Sequence, residues 1–172
     1  MAGIGGKGVL LAGQMLAAAG IEKYRHVVWT PTYAAAMRSG ACECTVILSD
    51  AKIASPILTK SDVVIVFESS QLADFEVRTK PGGILIAESA QLPEVKRQEI
   101  KLVKVPATEI AAEMGSTQVS NFILLGVYLE LTGALPPLLI EREIEQKFAG
   151  NWQVASLNKA AFNRGRELIA KG

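Results

Sequence analysis

Residues 1–20 read MAGIGGKGVLLAGQMLAAAG, with Gly3, Gly5, Gly6, Gly8 and Gly13 in the first thirteen positions. The Ala/Leu-rich run that follows has helix-forming composition. Gly3, Gly5 and Gly8 satisfy G-x-G-x-x-G, the pattern of a tight strand-to-helix turn with close backbone approach to a ligand. A helix starting there offers unpaired N–H groups and a partial positive charge to an anion. Only Met1 and Ala2 precede Gly3. The strand that normally leads into such a loop is therefore either very short or supplied by residues outside this sequence.

Two nucleotide-binding readings fail on the residues. A Walker A loop needs Gly-Lys followed by Ser or Thr for Mg²⁺, and here Gly8 follows Lys7. A dinucleotide fingerprint needs an acid at the end of the second strand, about 20 residues on, for the ribose hydroxyl. That strand, RHVVWTPT, ends Trp29-Thr30-Pro31-Thr32 without one. The bland alternative is that the glycines serve the turn alone.

Working outward, the chain alternates strands and helices. RHVVWT is β-branched and aromatic and is expected to stop at Pro31. ECTVILSD is the clearest strand. SDVVIVFE is apolar on consecutive residues, as in a strand buried on both faces of a parallel sheet. KPGGILIAES reads as a Pro-Gly-Gly turn followed by a strand, and IKLVKVPA as a strand ending at Pro106. ATEIAAEM then reads as a helix with Thr108 at its N-cap. STQVSNFILLGVYLELTG reads as a long buried helix ended by Gly133 and Pro136-Pro137. Two amphipathic helices follow, the first carrying Ile140, Ile144 and Phe148 on one stripe. The expected fold is α/β, a Rossmann-like three-layer sandwich with a mostly parallel central sheet and a helical C-terminal section. One domain of 172 residues is expected, its α/β core at about 1–133 and its C-terminal helices at about 138–170.

Composition closes off other classes. The chain is 49% hydrophobic and 20% charged, so it can bury a core, and its formal net charge of +1 gives no bulk attraction to nucleic acid or anionic membrane. The longest apolar run, FILLGVYLELTGAL, contains Glu130 and is too short for a membrane span. No secretory signal is evident. Cys42 and Cys44, separated by one residue, face the same side if they lie on a strand, and are read as plain thiols of a reducing cytoplasm. The one histidine, His26, opens a buried-looking strand and is read as structural rather than catalytic.

The second dense segment is WTPTYAAAMRSGACECTVILSD, residues 29–50. Ligands of open α/β sheets gather at the carboxyl ends of strands. A loop holding Tyr33, Arg38 and Gly40 can clamp an anion with guanidinium and backbone N–H. The plain alternative for Arg38 is a solvated loop arginine.

GIGGKGVLLAGQMLA, WTPTYAAAMRSGACECTVILSD, SPILTKSDVVIVF and SNFILLGVYLELTGALP, in that order, closely resemble the gamma subunit of the 2-oxoacid:ferredoxin oxidoreductases. Pro31, Thr32, Tyr33, Arg38 and Gly40 match the family's second motif. Lys7 stands where Gln is usual, Ala34-Ala35-Ala36 where Gly-Pro-Glu is common, and Ser39 where the first Gly of the closing pair falls. The loss of a carboxylate at Ala36 removes a candidate partner for Arg38. Asn121 matches an Asn heading the family's apolar helix, and a buried amide there is expected to hold a neighbouring loop through backbone hydrogen bonds.

The resemblance implies a subunit of an enzyme that oxidatively decarboxylates a 2-oxoacid to acyl-CoA and reduces ferredoxin. It implies thiamine diphosphate with Mg²⁺ between alpha and beta subunits, and iron–sulfur clusters in beta and delta subunits. This sequence has no C-x-x-C set and no Gly-Asp-Gly metal motif, so no cofactor is expected on it alone. CoA phosphates are the candidate anion for Gly3, Gly5, Gly6, Lys7 and Gly8 with Thr32, Tyr33, Arg38, Gly40 and Asn121. The 31–50 segment looks more like the 2-oxoglutarate and branched-chain types than the pyruvate type. Two other functions stay open at this point: a stand-alone module binding a phosphorylated ligand such as CoA or a nucleotide, and a purely structural interaction domain. An exposed partner-binding face also leaves a homodimer open for the isolated chain.

Overall fold

The computed structural model describes residues 1–33, 40–89 and 93–170. Its strands are β1 (Ala2–Ile4), β2 (His26–Tyr33), β3 (Ala41–Ser49), β4 (Ser61–Val66), β5 (Thr79–Glu88) and β6 (Lys101–Val105). Its helices are α1 (Val9–Ile21), α2 (Leu72–Glu76), α3 (Ala107–Glu113), α4 (Ser120–Thr132), α5 (Pro137–Lys147) and α6 (Trp152–Ala170). The strands form one sheet in the order β2-β3-β1-β4-β5-β6. β1, β4, β5 and β6 are parallel, β3 is antiparallel to β1, and β2 is antiparallel to β3, so β3 alone runs against the rest.

The consecutive apolar residues of β4 and β5 divide between two cores. Val64, Val66, Leu85 and Ala87 face Leu72 and Phe75 of α2. Ile65, Phe67 and Ile86 face the larger core built with α1, α3, α4, α5 and α6. Helices thus lie on both faces, but α2 is one short turn, and Val95, Ile100 and Leu102 complete that thinner side. α4 is buried along Phe122–Val127, and α6 lays Phe162 against it.

Several local expectations need correction. β2 does not stop at Pro31, which pairs with Cys44 inside the strand. β2 is an edge strand, where a missing N–H donor is tolerated. Pro81-Gly82-Gly83 is not a turn ahead of β5 but an irregularity within it, where the register jumps from Ser61↔Thr79 to Val63↔Ile84. Thr108 is not the N-cap of α3. Pro106 takes that position, and the buried Glu88 carboxylate accepts from both the N–H and the hydroxyl of Thr108, each at 2.8 Å. A carboxylate borne on a strand tip satisfies helix N-terminal donors as a local cap does. His26 is exposed, because it opens the edge strand rather than a central one.

Candidate functional site

The chain leaves β1 into the Gly loop at the point where the sheet order reverses. β1 is followed in sequence by α1 and β2 on one side, while its parallel neighbour β4 lies on the other. This is the crevice in which open α/β sheets bind ligands. Three of the segments marked in the sequence converge there. The Gly5 N–H donates to the Gly40 carbonyl at 2.6 Å, joining the first loop to the start of β3. Ile4 lies opposite Ala41, and Tyr33 at the end of β2 lies opposite Cys42. Thr32, Gly5, Gly6 and Gly40 are exposed on this rim. Arg38, with Ala34–Ala36 and Ser39, lies outside the described residues, as does the side chain of Tyr33.

Gly3 is buried between strand and helix. A Cβ there would meet Val9 Cγ2 at 2.9 Å and Phe67 Cβ at 3.0 Å. Gly8 caps α1 at φ +70°, in left-handed backbone that L side chains rarely adopt, and its carbonyl accepts from Ala12 at 3.0 Å. The buried Asn121 at the head of α4 donates from Nδ2 to the same carbonyl at 3.3 Å. The amide thus holds the loop, as its position in the apolar helix suggests. Its Oδ1 is buried with no hydrogen-bond partner.

Lys7 is held by two contacts. Its N–H donates to the Ile4 carbonyl at 3.2 Å, and its Nζ lies 3.2 Å from Glu68 Oε2, just beyond β4. Glu68 is the residue that the sequence reading missed. The available signal was its place immediately after SDVVIVF, at a strand's carboxyl end beside the crevice. The cation carried by the loop is therefore balanced, and any net attraction for phosphate at this rim comes from the α1 N-terminus and residues beyond the pair.

The thiols lie behind the rim. Both are free, and Cys44 is buried against α1 with Sγ 3.7 Å from the Val9 carbonyl. Burial pushes both thiols above their usual pKa. Among the described residues, no group of three or more His, Cys, Asp or Glu is placed to hold a metal ion. Nor, among the described residues, is any helix long and apolar enough to cross a membrane.

A six-stranded α/β sheet with a glycine loop at its reversal point places the molecule in the Rossmann-like class. A family model described as pyruvate ferredoxin/flavodoxin oxidoreductase matches residues 1–168, and the chain belongs to that family. It is 32% identical to the 2-oxoglutarate synthase subunit KorC of Methanothermobacter thermautotrophicus over 180 residues, covering 100% of this chain and 94% of that protein. It is 30% identical to the pyruvate synthase subunit PorC of Thermotoga maritima, covering 97% of this chain and 91% of that one. The match to the ketoisovalerate oxidoreductase subunit VorA of Methanothermobacter marburgensis is 32% identical and covers 99% of this chain but 36% of VorA, so the chain spans about a third of that relative. Among solved structures, a keto/oxoacid ferredoxin oxidoreductase gamma subunit from Geobacter sulfurreducens shares the fold at TM-score 0.85 and 23% identity, covering 99% of this chain and 96% of that one. A 2-oxoglutarate:ferredoxin oxidoreductase from Magnetococcus marinus, solved with 2-oxoglutarate, coenzyme A and succinyl-CoA bound, shares it at TM-score 0.90 and 23% identity, covering 99% of this chain and 30% of that one.

Proposed function

We propose that the chain is the gamma subunit of a 2-oxoacid:ferredoxin oxidoreductase, which oxidatively decarboxylates a 2-oxoacid to acyl-CoA and reduces ferredoxin in the cytoplasm. The observation that carries this reading is coverage. The chain spans more than nine-tenths of KorC and PorC, which are themselves single subunits of 2-oxoacid synthases. The stand-alone binding module is the weaker reading, because the cation of its loop is already paired with Glu68.

In this assembly the alpha, beta and delta subunits hold thiamine diphosphate, Mg²⁺ and the iron–sulfur clusters. Thiamine diphosphate supplies carbanion stabilisation when bound. The gamma chain contributes its rim. Gly5, Gly6 and Gly40 keep the backbone low, Thr32 and Tyr33 border it, and Asn121 fixes the α1 N-terminus through Gly8. Arg38 follows Tyr33 in the same segment of sequence and is the candidate guanidinium for CoA phosphate. The 31–50 segment favours 2-oxoglutarate or a branched-chain oxoacid over pyruvate.

A tagged copy purified from its native source tests the assignment. The expected product is a complex containing thiamine diphosphate, with brown iron–sulfur absorbance and ferredoxin reduction that requires both a 2-oxoacid and CoA. Isolation of the chain alone, or of a complex without that activity, rejects the subunit reading. In the intact complex, Arg38→Ala is expected to raise KM for CoA. An unchanged KM rejects the CoA assignment and leaves the subunit reading standing. Rates with 2-oxoglutarate, 2-oxoisovalerate and pyruvate decide the substrate.

A further inference from the structure

The two faces of the β2–β3 pair are covered unequally. On the α1 side, Trp29 of β2 and Cys44, Val46 and Leu48 of β3 join the larger core. Gly20 of α1 lies against the same face, where an added Cβ would meet Leu48 and Val27. Side chains alternate along a strand. Val28, Thr30 and Thr32 of β2 and Thr45 and Ile47 of β3 therefore point to the α2 side. There α2 packs against β4 and β5. The core on that side takes Ala2 from β1 but, among the described residues, no side chain from β2 or β3. Sandwiches of this class ordinarily carry a helical layer on each face of the sheet. Over this pair one layer is missing, and Val28, Thr30, Thr45 and Ile47 are only half-buried.

A solvated face of an antiparallel pair is ordinarily polar. This one presents Val28 and Ile47 beside threonine methyls. Within residues 28–32 and 41–47 the single charged residue is Glu43. Arg78 neutralises it, with Nη1 2.8 Å from Oε2, and the same guanidinium stacks 4.3 Å from the Phe75 ring centroid. Depletion of charge marks the buried centre of an interface, and charge belongs at its rim.

Charge appears where the face ends. Beside the start of β2, Arg25, His26, Lys52 and Ile53 line an open hollow of ≈ 550 Å³. Neither Arg25 nor Lys52 has an ion-pair partner among the described residues. At its other end the face runs into the rim of the candidate site at Thr32, beside a hollow of ≈ 660 Å³ lined by Ala41, Asp74 and the exposed Val77. The eight residues of β2 span about 26 Å, which is the length of about 17 residues of α-helix.

We propose that this face seats a helix from another subunit of the enzyme, about 17 residues long, apolar along the stripe that meets Val28, Thr30 and Ile47, and acidic at the end that meets Arg25 and Lys52. The inference rests on the subunit reading above. A helix there supplies the missing layer of the sandwich and runs up to the rim at Thr32, so the partner closes one side of the crevice. Its carboxylates complement the two free cations. The part matched here is 36% of VorA and 30% of the Magnetococcus chain, so in both proteins such a domain shares its polypeptide with a longer stretch of chain. A partner subunit is therefore favoured over a second copy.

Maleimide labelling of Thr30→Cys tests the seat, with the parent correcting for the free Cys42 and Cys44. The added thiol is expected to react readily in the isolated chain and roughly tenfold or more slowly in the assembled enzyme. Equal rates overturn the inference and leave the subunit reading standing, whereas a parent chain that never purifies with other subunits rejects both. Protection in the isolated chain that grows with its concentration assigns the face to a second copy and overturns it as well. A photo-crosslinker carried on Thr30→Cys identifies the occupant. A peptide of another subunit with apolar residues three and four apart and carboxylates toward one end is expected, and any other peptide overturns the helix. Arg25→Glu with Lys52→Glu is expected to weaken assembly roughly tenfold or more at low salt and less at high salt, with the melting midpoint of the isolated chain unchanged. Assembly unaltered at both salts overturns the acidic end.

Discussion

Asn121 and Gly8 are fastened together across 113 residues of chain: the Asn121 Nδ2 donates to the Gly8 carbonyl at 3.3 Å, and a Cβ on Gly8 would overlap that amide. Gly8→Ala therefore meets two penalties, left-handed backbone and a steric clash. It is expected to cost about 2–4 kcal/mol. Asn121→Ala leaves the part-buried Gly8 carbonyl with one partner fewer and opens space at a buried position, costing about 1–3 kcal/mol. The double variant is expected to cost less than the sum, because removing the amide relieves the clash. Urea unfolding of all three measures the coupling, and strict additivity would show that the two residues do not act on each other.

α4 and α6 cross at paired glycines. A Cβ on Gly126 would run into the Phe162 carbonyl oxygen, and one on Gly165 into the Ile123 carbonyl oxygen. The obstacles are backbone atoms, which cannot rotate aside, and both helices also carry fully buried side chains, Ile123, Leu125 and Phe162 among them. Gly126→Ala and Gly165→Ala are each expected to destabilise by about 3 kcal/mol or more. Gly150, with nothing within 4 Å of its added Cβ, is the control. Gly150→Ala is expected to stay within about 0.5 kcal/mol of the parent. Thermal melts of the three variants give the comparison.

These contacts mark how far the sequence could be read. The apolar run of β4 and the Gly133 stop of α4 are local signals, and both elements form where the residues place them. Asn121 stood out because an amide on so apolar a helix needs a partner. Glu68 and Glu88 did not stand out, since their partners, Lys7 and Thr108, lie far away in sequence and meet them only once the sheet is assembled. Pro31 misled for a related reason. Proline ends a central strand but not an edge strand, and edge position is a property of the whole topology.

The Lys7–Glu68 pair should show its character in stability and in function differently. Both side chains are about a quarter to a third exposed, at 30% and 26%. Lys7→Gln, which removes the charge and keeps a polar side chain of similar length, is expected to change stability by about 1 kcal/mol or less. In the assembled oxidoreductase its effect on KM for CoA should be small, because Glu68 already offsets the charge. Glu68→Gln frees that charge beside the loop and is expected to lower KM for CoA, more so at low salt. Steady-state assays at two ionic strengths measure both. A large rise in KM for Lys7→Gln with none for Glu68→Gln would show that Lys7 reaches the ligand despite its partner.

Tyr128 ties stability to alkaline pH. Burial is the main cause that pushes its phenol up from 10.0 to about 12, partly offset by a hydrogen bond with Thr132. The folded state therefore keeps the proton after the unfolded chain has released it. With the folded pKa raised, the contribution is fully present below pH 10 and is lost as pH climbs from 10 toward 12. The loss is at most about 1.4 kcal/mol per pH unit for one group. The buried Cys44 thiol, also raised by burial, adds a decline of the same sign that begins near its ordinary value of 9.0. Tyr128→Phe is expected to leave the slope below pH 10 unchanged and to flatten it above. Urea midpoints collected from about pH 8 to about pH 11 measure that slope, and identical slopes for the two proteins above pH 10 would assign the alkaline loss to other groups.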